Sequence, residues 1–91
     1  MSSRKPRTIL EMYMVMLKTA SERSLTAGRI ASYNGLEHRA CESYLLSMES
    51  HGLVTSHHEG KRRYWDTTSK GRQLAIDIGD IFKQAGIELR K

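Results

Sequence analysis

One cysteine, one proline, one tryptophan and one phenylalanine occur in 91 residues, and each scarcity removes a class of protein. Cys41 alone cannot close an intrachain disulfide, so small secreted scaffolds stapled by disulfides are excluded and a reducing interior suits the chain. No apolar run approaches the ~20 residues of a membrane-spanning helix. Residues 1–20 lack the order of basic head, unbroken apolar stretch and small-residue cleavage site that marks a secretory signal. No nucleophile–base pair, phosphate-cradling glycine loop or cleft-type carboxylate pair stands out, which argues against an enzyme, and no cofactor is implied. Acid is also scarce: ten Asp+Glu face fifteen Lys+Arg, giving +5 and a pI near 9.7. That balance favours phosphate backbones, anionic lipids or acidic proteins as partners. The length allows one small domain, read as soluble, intracellular and without a membrane partner.

What is present is a succession of short amphipathic segments. Residues 1–7, MSSRKPR, carry three cations and no acid and read as a basic, flexible tail. From Thr8 the spacing predicts a helix: Ile9, Leu10, Met12, Tyr13, Met16, Leu17 and Ala20 recur on one side, and Thr8 with Glu11 is a capping-box pair. Its methionines, Met12, Met14 and Met16, read as core filler. SERSL is a polar connection, after which Thr26 caps a second helix, AGRIASY, with Ile30 and Ala31 inward. Asn34-Gly35 ends it, both residues tolerating positive φ. A longer helix follows, with Leu36, Ala40, Cys41, Tyr44, Leu45 and Met48 on its apolar side and His38, Arg39, Glu42, Ser43 and Ser47 opposite; Gly52 closes it. LVTSHH and RRYWDT, separated by a glycine-containing turn, read as a hairpin that must pack on the helices, because a lone hairpin is marginal. Thr68 or Ser69 then caps a last helix, residues 70–91, whose Leu74, Ile78, Ile81 and Ala85 form a coiled-coil-like stripe. Gly79 and Gly86 each weaken that helix by roughly 1 kcal/mol relative to alanine.

Helix, short helix, tight turn, longer helix, cationic hairpin, helix is the order of a winged helix-turn-helix, a mainly α fold with a small β-hairpin. In that layout the helix after the turn has one face free to enter a major groove, and the hairpin is a wing whose Lys61, Arg62 and Arg63 can meet the backbone or the minor groove. Tyr64 and Trp65 point in opposite directions, so one ring can hold the wing to the core. The chain also resembles a family: small archaeal winged-helix regulators and chromatin-associated proteins that dimerise through a C-terminal helix. The resemblance spans about Thr8 to Leu89. It rests on Arg29-Ile30 followed by Tyr33-Asn34 and Leu36, on YLLSMESHGLV from Tyr44 to Val54, and on WDTTSKGRQL from Trp65 to Leu74. Two positions depart from the family pattern. Thr67 stands where leucine is usual, which implies a wing held less firmly, and Glu37 stands where serine or threonine commonly caps the recognition helix.

These readings together imply a homodimeric double-stranded DNA-binding protein, a sequence-specific transcriptional regulator of the cytoplasm associated with the nucleoid. A winged-helix architectural protein with little sequence preference and a protein-docking module are the alternatives. His38, Arg39, Glu42 and Ser43 are the expected base-facing residues, arginine being able to grip guanine O6 and N7 and glutamate to accept from cytosine N4. Arg29, and more weakly Arg4, Lys5 and Arg7, are expected on phosphates. Leu74, Ile78, Ile81, Phe82, Ala85 and Leu89 are expected to form the dimer face, dividing the chain into a tail (1–7), a winged domain (8–68) and a dimerisation helix (69–91). No effector is indicated. A zinc site built from His38, Cys41, His51, His57 and His58 lacks paired ligand spacings, and Cys41 belongs to the apolar stripe, so it reads as a buried thiol and no metal is expected.

Overall fold

Thr8 caps the first helix as its spacing to Glu11 predicts: the hydroxyl oxygen accepts the Glu11 backbone N–H at 3.0 Å. This computed structural model describes residues 8–86; the basic tail with Arg4, Lys5 and Arg7, and Leu89 at the other end, lie outside the described residues. The elements run α1 (Ile9–Glu22), β1 (Leu25–Thr26), α2 (Ala27–Asn34), α3 (His38–Ser50), β2 (Val54–Glu59), β3 (Arg62–Thr67) and α4 (Ser69–Gln84). Threonine repeats as the starting signal. Thr26 accepts from Arg29 N at 3.3 Å and Thr68 from Gly71 N at 3.1 Å, each satisfying an amide that the first turn leaves unpaired. Of the four described helices only α3 starts without such help, Glu37 making no side-chain cap bond. Of the Asn34-Gly35 pair, only Gly35 takes positive φ, at 66°. Asn34 instead donates its amide to Thr19 Oγ1 at 3.1 Å and to Ile30 O at 2.9 Å, tying the helix-turn to α1.

The core is filled from every helix and from the hairpin. Met14, Met16, Leu17 and Ala20 of α1 meet Ile30 and Ala31 of α2, Cys41, Leu45 and Met48 of α3, Val54 and Trp65 of the hairpin, and Ala75 and Ile78 of α4. The apolar stripe of α1 runs off the end of this core. Leu10 shares the helical phase of Met14 and Leu17, yet it lies a turn beyond them, and Ile9 and Leu10 are 57% and 51% exposed. Burial pushes the Cys41 thiol up to about 11 from 9.0, with the nearby Glu42 charge adding to the effect.

The polar connection SERSL hides a strand. Leu25 and Thr26 pair with Trp65 and Tyr64, making a three-stranded antiparallel sheet in the order β1-β3-β2. Ser24 extends the tie by donating its hydroxyl to the Asp66 carboxylate. The β2–β3 register, Val54↔Thr67 to Glu59↔Arg62, leaves Gly60 and Lys61 as a two-residue turn. Gly60 at φ 64° followed by a non-glycine at negative φ is the pattern of a II′ hairpin turn. Thr67 holds the wing rather than loosening it. Its side chain is buried, and its hydroxyl donates to Leu17 O of α1 at 2.7 Å, a bond no leucine can make.

The last helix is shorter than its periodicity predicts. It stops at Gln84, and Gly86 follows with φ 76°, the left-handed residue that commonly ends a helix. Its apolar stripe is spent largely on α1. Ile78 is 3% exposed within this single chain, so it does not face a second copy, and Leu74 and Phe82 pack half-buried against the same core. Ala85 is an exposed cap residue, whereas Ile76 and Ile81 are 56% and 57% exposed. Beyond residue 68, Ala75 and Ile78 of α4 join the same core as the other helices and the hairpin.

Gly71 is required by crowding, not by conformation. A Cβ there would sit 2.1 Å from Leu53 O and 2.7 Å from Thr67 Cγ2. Helix propensity alone makes Gly71→Ala stabilising by about 1 kcal/mol; the crowding reverses the sign, and a loss of about 3 kcal/mol or more is expected in urea unfolding, since a backbone carbonyl cannot yield. A second expectation concerns pH. The folded thiol of Cys41 stays neutral up to about 11, while the unfolded one ionises near 9.0. Its contribution is therefore complete below pH 9 and falls by about 1.4 kcal/mol per unit as the unfolded thiolate forms, until the folded thiol also ionises. Urea midpoints of the parent chain should decline more steeply between pH 9 and 11 than those of Cys41→Ala.

Candidate nucleic-acid interface

The 3.6-residue period sets which side of α3 looks outward. Cys41, Leu45 and Met48 are buried and Ala40 and Tyr44 half-buried, so His38, Arg39, Glu42 and Ser43 share the exposed side. Tyr44 fixes the roll of the helix, its ring meeting Tyr13 of α1 edge-on with centroids 5.7 Å apart and planes at 67°. The start of α2 closes against the first turn of α3: a Cβ placed on Gly28 would come within 3.9 Å of His38 Nε2.

Between this side of α3 and the wing lies a shallow groove of about 360 Å³. His38 and Glu42 line it from the helix, Lys61, Arg62 and Arg63 from the hairpin, and Thr26 to Gly28 close its end. The first two turns of α3 and the cationic turn thus share one concavity, in which Glu42 is the acid among cations. Arg39 and Ser43 are exposed on the same helix without lining the groove, and Arg29 is exposed on α2.

The three consecutive cations of the wing are not equivalent. Lys61 at the turn and Arg62 beside it are exposed. Arg63 is turned back toward α3. Its Nη2 donates to Glu49 Oε1 at 2.9 Å, its Nε donates to Ser56 Oγ at 3.0 Å, and its guanidinium carbon lies 4.4 Å from the centre of the Trp65 ring. Ser56 in turn donates to Glu49 Oε2 at 2.9 Å. Trp65 beneath them is 1% exposed, the inward ring of the Tyr64-Trp65 pair. Sequence reasoning did not find Glu49 and Ser56. The signal for Ser56 was available, since a two-residue turn at Gly60-Lys61 places residues 56 and 63 on one face of the ribbon; Glu49 joins them only through the packing of α3.

The histidines are dispersed. His57 lies on the other face of the ribbon, stacked on Tyr64 with centroids 5.7 Å apart, its Nε2 3.2 Å from Glu59 and its Nδ1 3.4 Å from Asp66. His51 Nδ1 is 2.9 Å from Ser47 O at the end of α3. Among the described residues no group of three or more His, Cys, Asp or Glu is gathered to hold a metal ion, and no helix is long and apolar enough to cross a membrane.

No protein-family model matches the chain, and no curated protein matches it in sequence. Solved structures do match it in fold. Sso10a-2, a DNA-binding protein from Sulfolobus solfataricus, superposes with a TM-score of 0.80 at 21% identity, covering 88% of this chain and 83% of that one. The transcriptional regulator BldR from the same organism gives 0.73 at 21% identity over 81% of this chain and 55% of that one. A homodimeric winged helix-turn-helix DNA-binding domain from Mycobacterium bovis gives 0.62 at 20% identity over 82% and 68%. With α2 and α3 as its two helices around the Gly35 turn and β2–β3 as its hairpin, the chain has the winged helix-turn-helix fold of these small archaeal and bacterial proteins.

Proposed function

We propose that the chain is a double-stranded DNA-binding transcriptional regulator that acts as a homodimer, with α3 in the major groove and the β2–β3 wing on the flanking backbone or minor groove. The observation that carries this is the shared concavity: the exposed turns of α3 and the cations of the wing border one groove, so a single duplex can touch both. The similarity in fold to a DNA-binding protein and a transcriptional regulator supports the same reading.

Within it, His38, Arg39, Glu42 and Ser43 face base edges, and Lys61 and Arg62 meet phosphates. Arg29, with Arg4, Lys5 and Arg7, adds backbone contacts. Glu42 carries discrimination rather than affinity, because a carboxylate repels phosphate and is repaid only where it accepts from cytosine N4. The dimer face draws on exposed apolar side chains left over by the core, Ile76 and Ile81 of α4.

Fluorescence anisotropy with random and genomic duplexes across a salt series tests the DNA reading. With 6 to 8 phosphate contacts per dimer, log K should fall against log salt with a slope of about −5 to −7, and replacing Arg39, Lys61 and Arg62 together with alanine should abolish binding. A flat salt response would sink it, and a selection from random duplexes that enriches no motif would favour the architectural alternative. Arg39→Ala alone should cost about 1–3 kcal/mol and relax preference at one base pair. For the dimer, Ile76→Asp with Ile81→Asp should leave the thermal melt of the fold in place, as both side chains are exposed, and sedimentation should report monomers. Dimers that persist would place the interface elsewhere.

A further inference from the structure

We infer that Glu49 is a positioning residue for DNA recognition: through Arg63 and Ser56 it locks the wing at a fixed angle to α3. The inference rests on the DNA-binding reading above and concerns how the two halves of that interface are kept in register.

The three side chains form a closed ring. Arg63 Nε donates to Ser56 Oγ at 3.0 Å, Ser56 donates to Glu49 Oε2 at 2.9 Å, and Arg63 Nη2 donates to Glu49 Oε1 at 2.9 Å. Each polar atom is used as its chemistry allows, the hydroxyl both accepting and donating and the carboxylate only accepting. The ring joins three elements at one point: the penultimate residue of α3, the middle of β2 and the second residue of β3. Trp65 packs under the guanidinium at 4.4 Å, so Arg63 is held on its face as well as at its nitrogens.

The placement of Glu49 argues for this role. A carboxylate in the last turn of a helix opposes the negative end of the helix dipole, so α3 by itself gains nothing from it; the partner on the wing supplies the reason. The position of the ring along the ribbon matters too. Toward the root, Val54, Trp65 and Thr67 are buried; toward the tip, His57 to Arg62 are exposed. The ring sits at that boundary, where the ribbon leaves the core and its direction is otherwise free. It therefore sets where Lys61 and Arg62 lie relative to His38 and Arg39. Arg63, though cationic, is a strut and not a phosphate contact.

The test compares Glu49→Gln, Arg63→Lys, their double variant and Lys61→Ala in anisotropy titrations across salt. Plain electrostatics makes Glu49→Gln bind a polyanion more tightly, and a phosphate-contacting arginine tolerates lysine. The strut makes the opposite prediction on both counts: each single variant weakens binding about tenfold, the scale of coupling within a shared network, and the double variant loses no more than either. Their salt slopes stay parental, while Lys61→Ala, which removes one contact in each protomer, lowers the slope by about 2. Emission from the single tryptophan, Trp65, should change in Glu49→Gln as the guanidinium leaves its ring. Tighter or unchanged binding by Glu49→Gln, parental binding by Arg63→Lys, or a reduced salt slope in Arg63→Lys would overturn the inference while leaving the DNA reading intact. A parent chain that binds no duplex at any salt would overturn both.

Discussion

Everything about the candidate interface depends on the burial of one ring. Two six-residue strands joined by Gly60 and Lys61 make a ribbon that is marginal in water, and a wing that melts independently of α3 presents its cations nowhere in particular. Trp65 removes that freedom. At 1% exposed it is the largest side chain in the core, and its burial by about 25 cal/mol per Å² of apolar surface fastens β3 to the helices. The other ties follow from where Trp65 puts the strand: Leu25 pairs directly with it, Thr67 two residues on reaches Leu17 O, and Arg63 two residues back lies over its ring. Period-two alternation sends all three odd-numbered side chains of β3 to the same face, so the strand needs only one anchor to aim its whole inner side.

The helices and their caps were legible because the signals are local. Thr8, Thr26 and Thr68 each cap a helix within a three-residue reach, and the apolar side of α3 follows from Cys41, Leu45 and Met48 at steps of four and three. The hairpin was legible from Gly60 and the β-branched and aromatic residues around it. What escaped was set by distance in the chain. Leu25 and Thr26 are too few to show a period, and they form a strand only because β3 offers an unpaired edge about forty residues later. Leu10 obeys the period of α1 but has no core above it, and Ile78 obeys the stripe of α4 yet is buried in the core of the same chain. Periodicity says that a face must be covered, not by what.

The same distinction governs the site. That His38, Arg39, Glu42 and Ser43 share one side of α3 is a statement about a single helix. That Glu42 borders a groove with Lys61 and Arg62 while Arg39 does not is a statement about two elements whose angle no local pattern encodes. Reading Lys61, Arg62 and Arg63 as a run treats them alike; strand alternation already separates Arg62 from Arg63, and the carboxylate that claims Arg63 comes from the end of α3.

The consequence for recognition is that charge is used sparingly here. Among the described residues the cations are not all left free at the groove: Arg63 is paired with Glu49, Lys70 donates to His51 O at 2.7 Å to clamp the end of α3, and Glu42 sets a carboxylate among those that remain. A surface built only to attract a polyanion places its cations unpaired and keeps acids away. This one commits a cation and a carboxylate to holding helix and wing in register and leaves another carboxylate on the exposed face. In the DNA-binding role proposed above, geometry fixed in this way would favour duplexes whose base edges and backbone fit together over those that merely carry charge, because a rigid reader loses little entropy on a match and cannot adjust to a mismatch.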